Sequence, residues 1–167
     1  MAQRGDQVAV LGDPEDGALT IRLAPRTADI RLAHGLARIG LGMDMALHGM
    51  TRLPQLATFV ATLEKQFANT FLPQPLVTFA AYAIVFSESA IGVALILGLF
   101  VRLALVGNAM LMIILLFGTC LVMNFTVAAT QLLYMAYITV LLATVAYDGL
   151  SLDRWRARHA EAPRQRR

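Results

Sequence analysis

The segment Leu103–Met123 reads LALVGNAMLMIILLFGTCLVM and contains no charged residue. A helix rising 1.5 Å per residue crosses the ~30 Å hydrocarbon core of a bilayer in about 20 residues, so this run has the required length. It is apolar all round, whereas a helix in a soluble bundle carries a polar stripe. Leu76–Phe100 and Gln131–Tyr147 have the same character, and Ile30–Met50 is a more polar fourth candidate. Composition agrees: 57% of the 167 residues are hydrophobic and 15% charged, against about 25% charged in a soluble domain. The expected fold is all-α, an integral membrane antiparallel four-helix bundle, with a lipid bilayer as its main surroundings.

The rest of the chain arranges itself around these helices. Residues 1–29 are mixed in charge and turn-rich, as in Gly12–Gly17 (GDPEDG). They lack a basic segment leading into an apolar one, so they read as a partly disordered tail and not as a cleaved signal peptide. Residues 30–153 form the expected transmembrane domain, followed by a basic tail over 154–167. Between the first two helices, Leu56, Phe59, Val60, Leu63 and Phe67 recur on one helical face while Thr58, Thr62, Lys65 and Gln66 occupy the other. That pattern predicts an amphipathic surface helix, flat on the membrane or over the mouth of the bundle, ended by Pro73 and Pro75. Short connections, near Gly98–Arg102 and across Asn124–Gln131, predict antiparallel neighbours.

Charge sets the orientation. Arg102 and the tail arginines Arg154, Arg156, Arg158, Arg164, Arg166 and Arg167 fall on one side of four spans, and only Arg52 and Lys65 on the other. The positive-inside rule places both termini in the cytoplasm, with Tyr147 and Trp155 at the inner interface. Topology thus accounts for the net charge of +3 without nucleic acid. The single cysteine, Cys120, excludes an intrachain disulfide, and no Cys/His cluster has metal-ligand spacing.

The most informative residue is Glu88, in the middle of an apolar helix. A carboxylate in hydrocarbon must be neutral, solvated or paired. Counting helical rise from the basic side puts Arg38 roughly 11 Å deep, Glu88 roughly 16 Å, Asn108 roughly 8 Å and Asp44 roughly 20 Å. The expected arrangement is a buried cluster of Arg38, Asp44, Glu88 and Asn108, with Arg38 as the partner of Glu88. His48 follows Asp44 by four residues on the same face and extends the cluster outward. Gln131, Tyr134 and Tyr137 share a helical spacing that lines the bundle, and His34 reads as an interface residue. The cluster is open to two readings, an interhelical clamp or a site for protons, a quinone or a small anion.

Arg38–Leu53 (RIGLGMDMALHGMTRL) and Glu88–Arg102 (ESAIGVALILGLFVR) together resemble the DoxX/DoxD family of small four-helix membrane proteins. Arg38, Gly42, His48, Gly49, Arg52, Glu88, Gly92, Gly98 and Arg102 stand in matching places, with Arg52 where the family more usually has Lys. The resemblance covers about Ile30–Asp153. It implies a bacterial inner-membrane protein and, from the family's named member, a subunit passing electrons from thiosulfate to membrane quinone. On that reading Glu88, His48 and Arg38 are catalytic, and Asp44, Asn108 and Tyr134 hold the quinone. Arg52 and Lys65 attract an anionic sulfur donor, no metal is needed, and a second protein subunit or a homo-oligomer is expected. Shared fold does not transfer chemistry. A non-catalytic scaffold or accessory subunit is therefore the rival reading, and a small transporter the third.

Overall fold

A computed structural model describes residues 27–154 and residue 156. Most of the two expected tails, including Trp155, lies outside the described residues. All regular structure described is helical: α1 (Thr27–Arg52), α2 (Leu56–Phe67), α3 (Gln74–Leu97), α4 (Val101–Leu121) and α5 (Phe125–Ala143). A 3-10 turn over Leu53–Gln55 joins α1 to α2, and another over Val145–Tyr147 follows α5. Among the described residues, α3, α4 and α5 are long and apolar enough to cross a membrane. Each leaves at least two thirds of its most apolar window unburied by the protein itself. Apolar surface of that kind is stable only against lipid, and the chain is an integral membrane protein in contact with the bilayer.

Local chemistry sets the helix ends. Pro73 and Pro75 flank the first residue of α3, where a missing N–H costs nothing. At its other end Gly98 adopts φ +69°, donating to Leu95 O while Leu99 N reaches back to Ala94 O at 2.9 Å. This is the left-handed glycine stop that satisfies the last carbonyls of a helix. The last helix begins earlier than hydropathy suggested. Asn124 accepts from Val127 N at 3.3 Å and starts α5 at Phe125, so the expected connection Asn124–Gln131 is mostly helix. An N-cap oxygen outweighs the polarity of the first turn.

Close glycine packing fixes the register of α1 against α3. A Cβ on Gly92 would lie 2.6 Å from Ala46 Cα, one on Gly42 2.8 Å from Ile96 N, and one on Gly49 2.6 Å from Ser89 N. Backbones this close interlock, as small residues allow between membrane helices. The helices are antiparallel, so this register puts Arg38 level with about Leu99 and Arg52 with about Val85. Two consequences follow. The first turns of α1 project past the α3–α4 connection, where Gly35 meets Leu150 and Gly149 meets Arg31. And α1 ends beside the middle of α3. From there α2 crosses obliquely toward the α4–α5 end, with Thr78 donating to Glu64 at 2.5 Å and Phe67 against Gly118. Val60 is buried, Leu56, Phe59, Leu63 and Phe67 are half-buried, and Thr58, Thr62, Lys65 and Gln66 are exposed.

Candidate functional site

Glu88 meets Arg52. The Arg52 guanidinium donates directly to the Glu88 carboxylate, and the carboxylate side chain is 5% exposed. Arg52 also stacks on Phe59, with its guanidinium carbon 5.0 Å from the ring centroid. That contact orients a cation and shields it from water. The pair closes the floor of a cavity of about 470 Å³ between α2, α3, α4 and α5. Its walls are mainly apolar, among them Leu63, Phe67, Val77 and Ile84. Gln131 adds a polar group toward the α4–α5 end: its side-chain oxygen accepts from Thr119 at 2.7 Å, which leaves the amide N–H₂ free to donate.

Arg38 does not reach Glu88, which corrects the pairing expected from the sequence. Its side chain is wholly buried at the C-terminus of α3. It donates to Leu95 O and, at 3.4 Å, to Ile96 O, and reaches Leu150 O at 2.9 Å. Its Nε lies 3.6 Å from Asp148 Oδ1. Orphan carbonyls and the negative end of the helix dipole make this a good place for a cation. The expected depths failed because they assumed that Arg31 and Leu99 lie level. The glycine contacts shift α1 by seven residues, roughly 10 Å. Arg38 is therefore a clamp at the α3 terminus, and the partnership assigned to it belongs to Arg52. Arg52 pairs with Glu88, and its side chain is 31% exposed. Lys65 is exposed and lies off the cavity wall.

The remaining expected residues divide into two places. Asn108 is wholly buried in α4 with neither amide atom hydrogen-bonded. Asp44 and Tyr134 line a separate groove of about 370 Å³ between α1 and α5, together with Gly40, Leu41, Leu133 and Tyr137. His48 stands 3.5 Å from Asp44 Oδ1 and takes part in a 2.9 Å contact with Asp44 O. Neither His48 nor Asp44 lines the cavity floored by Glu88. His34 pairs with Thr144 Oγ1 at 2.9 Å. The sequence reading missed Phe59 as the shield of Arg52, and Asp148 and Asp153 as anchors. Asp153 Oδ2 accepts from Val101 N at 3.3 Å and caps α4. The signal was two acids in an otherwise basic segment after the last apolar run.

A family model named DoxX matches residues 34–129, more than half of the 167-residue chain. The chain belongs to the DoxX family. The DoxX match spans α1 to the start of α5 and so includes both partners of the Arg52–Glu88 pair. It stops before Gln131, Tyr134 and the Asp148 that faces Arg38. No curated protein and no solved structure matches the chain.

Proposed function

We propose that this DoxX protein is the membrane subunit of an oxidoreductase, and that it binds the head of a lipid-soluble quinone in the cavity floored by Arg52 and Glu88. The observation that carries this reading is one buried carboxylate, held by a cation, at the end of a deep apolar cavity. Ligand pockets of about 300–1,000 Å³ with apolar walls and a few convergent polar groups are the usual form of a small-molecule site. The cavity fits the group: its walls suit an apolar ring and tail, and Glu88 and the Gln131 amide are hydrogen-bonding groups for ring oxygens. A bound quinone would supply the electron-accepting chemistry. Glu88 would hold or give up a proton at its carboxyl oxygen, Arg52 would orient that carboxylate, and Phe59 with Leu63 would keep water from it. Electrons would come from a sulfur compound or thiol through a second subunit, since Cys120 has no partner cysteine in this chain. In the same reading α1 with α2 completes a four-helix bundle, α2 covers the outer mouth, and both termini face the cytoplasm of a bacterial inner membrane.

The test uses protein purified with its co-purifying partners in mild detergent. Quinone reduction is followed with thiosulfate or a thiol as donor, beside binding of a short-chain benzoquinone. Glu88→Gln should bind the quinone within about threefold of the parent and lose at least 90% of donor-dependent reduction. Ala80→Trp, which fills the cavity from α3, should lose binding. Quinone binding unchanged by Ala80→Trp, or full activity in Glu88→Gln, would overturn the proposal and leave an accessory subunit in which Arg52–Glu88 is a clamp.

A further inference from the structure

The walls of the cavity floored by Arg52 and Glu88 differ in what lies behind them. Among the described residues, those two are its only charged lining. At the outer end Gln66 and Asn124 form a polar, exposed rim. Along the side Leu76, Ile114 and Phe117 line the cavity too, yet they are 50%, 53% and 53% exposed. Each therefore stands between the cavity and the surroundings, with no second layer behind it. Ile114 and Phe117 precede the last residue of α4, Leu121, by seven and four residues, and so lie roughly 10 and 6 Å inward of it. With α4 across a bilayer that depth is hydrocarbon, so this side of the cavity faces lipid chains and not water.

Phe67, the last residue of α2, completes that boundary. Ile114, Phe117 and Gly118 share one face of α4, and the Phe67 ring rests on it. A Cβ at Gly118 would lie 3.2 Å from Phe67 Cζ, and among the described residues no other segment of the chain comes within 4 Å of it. Glycine is unfavourable inside a helix, and here the ring occupies the space it leaves. The contact differs in kind from those of Gly42, Gly49 and Gly92, which meet backbone atoms of the facing helix. Those contacts lock two helices together. At Gly118 the neighbour is the tip of one side chain, which can leave by a change of rotamer without breaking a hydrogen bond. Little else holds α2: Val60 is its one buried residue, Glu64 accepts from Thr78 at 2.5 Å, and Phe59 stacks on Arg52.

We infer that the cavity is filled sideways from the bilayer, through the seam between Phe67 and the Ile114–Phe117–Gly118 face of α4, by a ligand whose apolar tail stays among the lipid chains. This route presupposes the ligand site proposed above and adds to it the way in and the second part of the ligand. A volume of about 470 Å³ lies in the lower half of the range for small-molecule pockets. It encloses a ring-sized head and leaves a long chain outside. A tail leaving by the outer rim would meet Gln66, Asn124 and then water, whereas at the seam it meets apolar side chains and lipid. Phe67 is then the gate. Turned away, it admits the head of the ligand. Seated on Gly118, it closes the wall and keeps the surroundings from the Arg52–Glu88 pair.

The experiment is thiol labelling in lipid nanodiscs, in a Cys120→Ser background. Ala80→Cys places a thiol on the cavity wall. Phenylmaleimide, which dissolves in the bilayer, should modify it at least tenfold faster than a sulfonated maleimide confined to water. The two reagents should modify Lys65→Cys, on the exposed face of α2, at rates within threefold of each other. Adding Phe67→Ala should raise the phenylmaleimide rate at Ala80→Cys at least fivefold, and Gly118→Leu, which pushes the ring off its seat, should do the same. Val85→Cys, at a wholly buried position between α1 and α3, should stay unreactive in both variants, which a general loosening of the fold would not allow. An Ala80→Cys thiol labelled as fast from water as from lipid, or a phenylmaleimide rate unchanged by Phe67→Ala, would overturn the inference. Labelling uses no quinone, so the two readings fail separately. A thiol with these labelling rates that a decyl-tailed benzoquinone leaves unprotected would strike the quinone reading and keep the route for another lipid-borne ligand.

Discussion

Arg52 and Glu88 are held by different surroundings, and that predicts an asymmetry between their variants. Glu88 is almost fully enclosed, while the Arg52 side chain is 31% exposed. Removing one partner of a buried pair leaves an uncompensated charge and costs about 3–5 kcal/mol, whereas removing both is often nearly neutral. Arg52→Met should therefore lower unfolding stability in detergent by about 3 kcal/mol, the lower end of that range because Arg52 is partly exposed. Arg52→Met/Glu88→Gln should recover most of that loss, which thermal or denaturant unfolding of the three proteins would show. The same logic separates Arg38 from this pair. Its donors diverge to carbonyls on two segments, a planar fork that lysine does not reproduce.

At the scale of helices, the glycines of α1 and α3 decide more than the apolar residues around them. Gly42, Gly49 and Gly92 bring two backbones together so that little freedom of register remains. A methyl group at Gly92 would overlap the backbone of Ala46 and push the helices apart. Gly92→Ala should cost about 2 kcal/mol or more, as overpacking in a tight core does, and should also misplace Arg52 relative to Glu88. The check is paired: unfolding stability, and whether Arg52→Met still costs anything in the Gly92→Ala background. A vanished Arg52 effect would mean the pair had already parted.

At the scale of the molecule, the helices differ in how firmly they are held. Among the described residues α2 has one buried residue, Val60, against seven in α3 and eight in α1. Regions with few buried contacts open at the lowest free energy. Amide hydrogen exchange in nanodiscs should therefore be fastest in α2 and slowest where α1 meets α3, and opening of α2 should uncover the cavity. Exchange in α2 as slow as in α3 would contradict this. Much of the architecture was legible from the chain alone. Uninterrupted apolar runs are tied to bilayer thickness, so an all-helical chain with α3, α4 and α5 long and apolar enough to cross a membrane followed from residue type and period. The DoxX family followed from residues in those same helices. The partner of Glu88, the clamp role of Arg38 and the start of α5 at Phe125 did not. Depth counted along separate helices assumes that they begin level, and nothing local to either helix states that. Register is a property of the contact between them, set here by three glycines and by Asp148 and Asp153 returning from the end of the chain. The amino-acid sequence by itself determined which segments are apolar enough to cross a membrane, because transfer from water to lipid is a sum over residues. Only the tertiary structure decided which charges meet, because an ion pair depends on distances that close packing alone fixes.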